Sequence, residues 1–162
     1  MNESDEPQTA WEGVDESGAT VPVRTPDLQR LLAYWHEKRG ARDFPARGDI
    51  DPVDLGFMLD RIALIEVHDQ AGRRFRLRVV GTWWSRKYDF EPTGSWLEDW
   101  PSTPQKNLTL ASYEKLLTLR RPVILRRNEW LDNAMLQYEA ALLPLSDDGA
   151  RISMILVGIG RG

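Results

Sequence analysis

The chain has 162 residues, of which 41% are hydrophobic and 28% charged, a composition typical of one soluble globular domain. It has no cysteine and two histidines, which excludes disulfides, thiolate catalysis, cysteine-ligated metal and a multi-histidine metal site within one chain. The net charge is −4, but the first 23 residues carry six acids and no Lys or Arg, so the remainder is +2, which argues against strong attraction to nucleic acid.

The acidic segment at the start of the chain, residues 1–24, lacks the basic start and the apolar stretch of a secretory signal. We predict a disordered, solvated tail here, followed by one domain over residues 25–162. No apolar run approaches the roughly 18 residues that a membrane-spanning helix needs, so we expect no membrane segment. The lack of cysteine fits the cytoplasm, which is the location we predict.

A helix is predicted from Thr25-Pro26-Asp27 to Gly40, because a hydroxyl N-cap, a proline and an acid begin it and a glycine ends it. Its apolar side recurs at helical spacing and consists of Leu28, Leu31, Leu32 and Trp35. This stripe is our candidate dimer interface. Packing on the chain's own sheet is the alternative, and the sequence leaves both open.

The rest of the chain predicts five strands. Residues 61–68 and 73–81 form the first two, joined by a turn, and a second helix starts at Thr103-Pro104 and ends before Pro122. Three strands follow over residues 123–131, around 136–142 and 152–159, with Asp132-Asn133 as a turn. The predicted fold is α+β: a five-stranded antiparallel sheet with helices inserted between its second and third strands, plus the N-terminal amphipathic helix.

Four segments stand in an order that resembles a known family. They read LLAYWH (31–36), FPARGDIDP (44–52), FRLRVVGT (75–82) and YDFEPTG (88–94). Together they resemble short bacterial proteins built around a single PAS-like domain. The resemblance implies a PAS fold and a sensory or regulatory role, and it implies no reaction and no established site residues. One departure is Tyr88-Asp89, where relatives tend to have a glycine, and a bulkier residue there alters the mouth of any pocket.

The familiar PAS cofactors need residues that this chain lacks. A covalent flavin adduct and a thioester-linked chromophore both require cysteine, and there is none. A haem sensor commonly uses histidine on the long helix before the third strand, and residues 103–120 contain no histidine. These three cofactors are therefore disfavoured, non-covalent flavin stays open, and the cofactor, if any, is unknown.

Aromatic residues around the short middle segment predict a ligand pocket, because Tyr and Trp combine apolar area with one hydrogen-bonding group. Trp83 and Trp84 point about 100° apart on a helix, so we expect only one of them at the pocket. Arg78 is the candidate anion ligand, although its strand parity is opposite to that of Phe75. Filling of an ordinary core is the alternative role for the aromatics. The predicted ligand-binding residues are Trp84, Tyr88, Tyr113, Trp130, Tyr138 and Arg78.

The sequence thus predicts a PAS-like regulatory module that binds a small molecule, a signalling protein partner or both, with no catalytic activity of its own. The sequence leaves open whether the chain forms a homodimer, and neither nucleic acid nor membrane is an expected partner. One alternative is a small enzyme with a buried carboxylate as general base, for which the candidates are Asp89, Asp99 and Glu129. The other alternative is an interaction scaffold with no ligand.

Overall fold

The computed structural model describes residues 12–88, 90–131 and 134–161, with the side chains of residues 130 and 131 left out. Seven strands form one mixed sheet in the order β2-β1-β5-β6-β7-β3-β4. All neighbours are antiparallel except β1 and β5. The strands are β1 (Glu12–Val14), β2 (Thr20–Pro22), β3 (Ile62–His68), β4 (Arg74–Val80), β5 (Val123–Leu131), β6 (Ala134–Leu145) and β7 (Met154–Gly160).

The five predicted strands are β3 to β7, and β7 lies between β6 and β3, buried along nearly its whole length. The helices α2 (Thr82–Lys87) and α3 (Pro104–Leu119) come between β4 and β5 in the chain. The predicted strand count of five is wrong, because β1 and β2 extend the sheet beyond β5. The predicted turn at Asp132-Asn133 lies outside the described residues.

The two extra strands fall within the segment that was predicted to be a disordered tail. They form a hairpin that meets β5 at Val14, whose backbone N–H donates to the carbonyl of Pro122 at 3.0 Å. Gly13 permits this approach, since a Cβ there would lie 2.8 Å from the Pro122 carbonyl oxygen. The prediction of a disordered tail up to residue 24 is therefore wrong from Glu12 onward.

Helix α1 (Pro26–Arg39) has the predicted bounds and ends at Gly40, whose φ of 61° lies in the left-handed region. All four residues of its apolar stripe are buried, at 0–2% exposure, against β6, β7 and the segment that follows the helix. These four side chains are already buried by other parts of the same chain and are not available to a second copy. The predicted dimer interface at Leu28, Leu31, Leu32 and Trp35 is therefore wrong. The alternative, packing on the chain's own sheet, is what the structure has.

Polar contacts attach the start of α1 to the sheet. The guanidinium of Arg61, which is buried, donates to the Ile159 carbonyl and to the carboxylate of Asp27, both at 2.7 Å. The predicted N-cap hydroxyl of Thr25 caps nothing within the helix and donates instead to Glu139 on β6. These contacts fix the start of α1 over the centre of the sheet.

The sheet separates two apolar cores. One lies between the sheet and α1, and the other lies between the opposite face and the helices α2 and α3. Helix α3 is capped at its start by Thr103, whose hydroxyl accepts from the Lys106 N–H at 3.1 Å, and at its end by Arg120, which has a φ of 57°. The core beneath α2 and α3 contains Trp84 and Tyr113, with Trp83, Tyr88 and Tyr138 packed against it, and it holds a cavity.

Candidate functional site

A cavity of about 60 Å³ lies inside the core beneath α2 and α3. At roughly 15 Å³ for each water-sized occupant, this volume has room for about four water molecules. Its walls come from the inward-facing residues of the sheet and from one side of each helix. Polar or charged lining residues are Lys87, Gln105, Thr109, Ser112, Arg127 and Glu129, and the apolar lining includes Ile65, Leu77, Leu97, Leu125, Ala140, Leu142 and Val157.

The structure brings four of the six predicted ligand-binding residues to this cavity. These are Trp84, Tyr88, Tyr113 and Tyr138, and their role in binding a ligand stays a prediction. The side chain of Trp130 lies outside the described residues. Arg78 is not at the cavity: its side chain is 64% exposed and lies 3.7 Å from Glu66. The prediction for Arg78 is wrong because alternation along β4 turns it to the opposite face from Leu77.

The ammonium group of Lys87, at the end of α2, is enclosed by aromatic rings. Its Nζ lies 4.9 Å from the centre of the Trp83 ring, 5.5 Å from that of Tyr88 and 5.4 Å from that of Tyr138. These distances are those of cation–π contacts. Trp83 and Trp84 both line the cavity with ring centres 5.0 Å apart, so the expectation that only one would reach it is wrong.

Lys87 also forms an ion pair with Glu129 on β5, and the two side chains are only 10% and 11% exposed. The Tyr138 hydroxyl donates to the other oxygen of the carboxylate at 2.8 Å. Removal of the ammonium from water lowers the pKa of Lys87, an effect that Glu129 opposes. Three unlike groups, an ammonium, a carboxylate and a phenol, are thus held together in an otherwise aromatic wall.

The tyrosines at the cavity resist ionisation. Burial, with a smaller effect of Glu129, raises the pKa of Tyr88 to about 12. Burial is also the main cause that raises the pKa of Tyr113 and that of Tyr138. A phenolate here would lose its hydration, and at Tyr88 and Tyr138 it would also face the Glu129 carboxylate, so all three phenols stay neutral at physiological pH.

A second charged group lies on the α3 side of the cavity. The guanidinium of Arg127 donates to the Ser112 hydroxyl at 2.7 Å and lies 3.4 Å from a carboxylate oxygen of Glu16. Glu16 belongs to the turn between β1 and β2, and its other carboxylate oxygen lies 2.8 Å from the Ser112 hydroxyl. The N-terminal hairpin therefore supplies a carboxylate to two residues that line the cavity.

The three candidate general bases have different positions. Glu129 lines the cavity, but its carboxylate is paired with Lys87. Asp99 is on the surface, with 68% of its side chain exposed and an ion pair to Arg74 at 3.1 Å. Asp89 lies outside the described residues. Neither described candidate is a buried, unpaired carboxylate, which is the group that a general base of this kind requires.

Sequence reasoning missed Lys87, Arg127 and Ser112 as cavity residues. The alternation of side chains along β5 indicates that Arg127 and Glu129 face the cavity, since they share a face with Val123 and Leu125, which are buried in the same core. Helical spacing identifies the α3 residues, because 105, 108, 109 and 112 recur at intervals of three and four. A polar stripe on the side of a helix that faces a sheet is thus the signal that was overlooked.

Among residues 12–88, 90–131 and 134–161, no helix is long and apolar enough to cross a bilayer. Within the same ranges, no three side chains of the metal-binding types come together as a metal site.

Comparison with known proteins gives one family. The sequence profile described as PAS domain matches residues 23–158, from the end of β2 to within β7. No curated protein and no solved structure matches the chain significantly. The match covers most of the chain and includes the five antiparallel strands and the helices around the cavity. The chain therefore belongs to the PAS domain family.

Proposed function

We propose that this chain is a sensory module that binds a small molecule in the cavity between the sheet and the helices α2 and α3. PAS domains are in general sensory or regulatory modules without catalytic activity. The observation that carries the proposal is the pair formed by Lys87 and Glu129 inside a core cavity. Burying two charges is expensive, and apolar residues of similar volume usually give equal or greater stability. A core without a ligand would not require these two buried charges.

The shape of the cavity limits the ligand. A volume of about 60 Å³ admits a molecule of a few non-hydrogen atoms with the side chains as they stand. A larger ligand enters if Lys87 and Trp83, both on the short helix α2, move outward. The walls offer aromatic faces and several fixed polar groups, the usual composition of a small-molecule site.

A sensory role accounts for the site better than an enzymatic one. The carboxylate of Glu129 faces an ammonium and accepts a hydrogen bond from Tyr138, so both of its oxygens already have partners within the chain. The output then passes to a protein partner or to a second copy of the chain. Both of these recipients are proposals.

Native mass spectrometry of the protein purified from its own host tests the proposal. We expect a small molecule that remains bound under native conditions and leaves on denaturation. Ala140, buried at the cavity, and Ala111, exposed on α3, offer a matched pair: Ala140→Met fills the cavity and should release the ligand, whereas Ala111→Met should retain it. A chain that emerges empty, and whose melting temperature no metabolite extract raises, contradicts the proposal.

A further inference from the structure

The contact of Glu16 with Arg127 and Ser112 has the form of a ligand contact. We propose that Arg127 and Ser112 are a subsite for a small carboxylate, that the Glu16 side chain occupies it when no ligand is present, and that ligand binding displaces Glu16. This inference rests on the proposed function, because it names the chemical class of the molecule that enters the same cavity.

The donors at this subsite converge on one carboxylate. Arg127 lies 3.4 Å from one oxygen of Glu16, and the Ser112 hydroxyl lies 2.8 Å from the other. Arg127 and Ser112 are joined directly at 2.7 Å, so they present their donors as one unit. Arginine and a hydroxyl side by side are a common means of binding a carboxylate.

The charges around the cavity favour an anion. The charged lining residues are Lys87, Arg127 and Glu129, which leaves one positive charge in excess when Glu16 is set aside. Lys87 is already paired with Glu129. The excess therefore falls on Arg127, whose side chain is only 18% exposed and needs a counter-charge. A cationic or neutral ligand would leave Arg127 without one once Glu16 has moved.

Glu16 is held weakly enough to be replaced. Its side chain is 37% exposed, and exposed ion pairs contribute little to stability. The Ser112 hydroxyl also lies 2.9 Å from the Leu108 carbonyl, so it keeps an acceptor when Glu16 leaves. The turn does not depend on Glu16 either, because the Asp15 carboxylate accepts from the backbone N–H groups of Ser17 and Ala19.

Binding of acetate and succinate, measured by calorimetry on the full chain, tests the proposal, with ethylamine as the cationic probe and glycerol as the neutral one. We expect the carboxylates to bind and Glu16→Ala to tighten that binding by about fivefold, the worth of an exposed ion pair. Glu12→Ala, a change of charge in the same hairpin, should leave the affinity as it is. Arg127→Gln should abolish binding, and Arg127→Lys, which keeps the charge and protects the fold, should weaken it by roughly tenfold.

The outcomes separate this inference from the proposed function. Carboxylate binding that Glu16→Ala does not tighten, or that both Arg127 variants leave unchanged, overturns the inference. A native ligand that proves to be cationic or neutral also overturns it, while the proposed function stands. If the protein carries no ligand and none of the probes binds even to Glu16→Ala, both are overturned.

Discussion

The carboxylate of Glu139 accepts hydrogen bonds from both the backbone N–H and the hydroxyl of Thr25, each at 2.9 Å. It also accepts from the backbone N–H of Arg24 and from the guanidinium of Arg126, all at 3.1 Å. One buried side chain on β6 thus holds the backbone that leads from β2 into α1. Because Thr25 precedes the first turn of α1, the negative charge also lies at the positive end of the helix dipole.

Replacement of Glu139 tests this attachment. Glu139→Gln keeps the shape but removes the charge and turns an amide donor towards Arg126, so we expect the free energy of unfolding to fall by about 2 kcal/mol. Urea denaturation followed by circular dichroism measures it. The control is Glu37→Gln on the exposed side of α1, which should change stability by no more than about 0.5 kcal/mol. Equal effects of the two substitutions would show that Glu139 does not hold α1.

The pair formed by Lys87 and Glu129 should behave as a unit. Lys87→Met leaves a buried carboxylate without its partner, and we expect a loss of about 3 kcal/mol. Lys87→Met combined with Glu129→Gln removes both charges and keeps an acceptor for the Tyr138 hydroxyl, so its stability should return to within about 1 kcal/mol of the original. Equilibrium unfolding of the two single variants and the double variant forms a cycle that measures the coupling.

An exposed ion pair provides the comparison for that cycle. Arg42 and Asp49 lie 2.7 Å apart, with 52% and 34% of their side chains exposed. Arg42→Met should cost less than about 1 kcal/mol. Additive losses at Lys87 and Glu129, of the size found at this exposed pair, would show that their charges are not effectively buried.

Alkaline pH should unfold the protein through its tyrosines. The pKa of Tyr88 is raised from 10.0 to about 12 in the folded state, so unfolded chains ionise first and draw the equilibrium towards themselves. The stability that is present below pH 10 is then lost at about 1.4 kcal/mol per pH unit for each such tyrosine. Lys87 acts in the opposite sense, since its lowered pKa makes stability rise with pH up to its usual value of 10.5.

Tyrosinate absorbance and circular dichroism, followed together against pH, check this expectation. We expect the signals of Tyr88, Tyr113 and Tyr138 to appear only when the far-ultraviolet spectrum collapses. The sequence has four tyrosines, and unfolding in urea before the titration should return all of them to one midpoint near 10. Smooth titration of the three in a chain with intact secondary structure would contradict the burial of these phenols.

Gly81 positions the start of α2 and should not tolerate a side chain. A Cβ at Gly81 would lie 2.2 Å from the backbone oxygen of Asp60, and the backbone cannot move aside cheaply. We expect Gly81→Ala to lower the free energy of unfolding by about 1–3 kcal/mol. At Gly48 nothing lies within 4 Å of the added methyl, so Gly48→Ala should be neutral or stabilise by up to about 1 kcal/mol. Thermal unfolding compares the two, and similar melting temperatures would show that α2 can shift away from Asp60.

Much of the fold follows from local patterns. Pro26 and Gly40 predict the bounds of α1, and alternation or continuous apolar runs predict the long strands. The hairpin of β1 and β2 cannot be predicted from a local pattern, because each strand has three residues, too few for any periodicity. What makes them strands is pairing with each other and with β5, a contact between distant parts of the chain.

The candidate site was predictable in part for a related reason. Aromatic residues such as Tyr113 and Tyr138 favour a position in the core whatever the details of packing. Arg127 carries no such preference, and only its parity with Leu125 places it inward. The partner of Arg127 is Glu16, some hundred residues away, and no local rule connects them. The stripe that includes Leu31 was ambiguous because a sheet and a second copy bury the same residues.

The central strand β6 is buried on both faces from Glu139 onward, and β7 is buried along almost all its length. A slip of one residue would exchange the faces of each strand, but it would mostly replace one apolar side chain by another. Hydrophobicity therefore does not determine the register of these strands. Glu139 does, because a slip would carry its carboxylate away from Thr25 and into the opposite core. Arg61 adds a second constraint through its bond to the Ile159 carbonyl. The alignment of the strands, and with it the composition of the cavity wall, thus depends in part on two charged residues on the far side of the sheet.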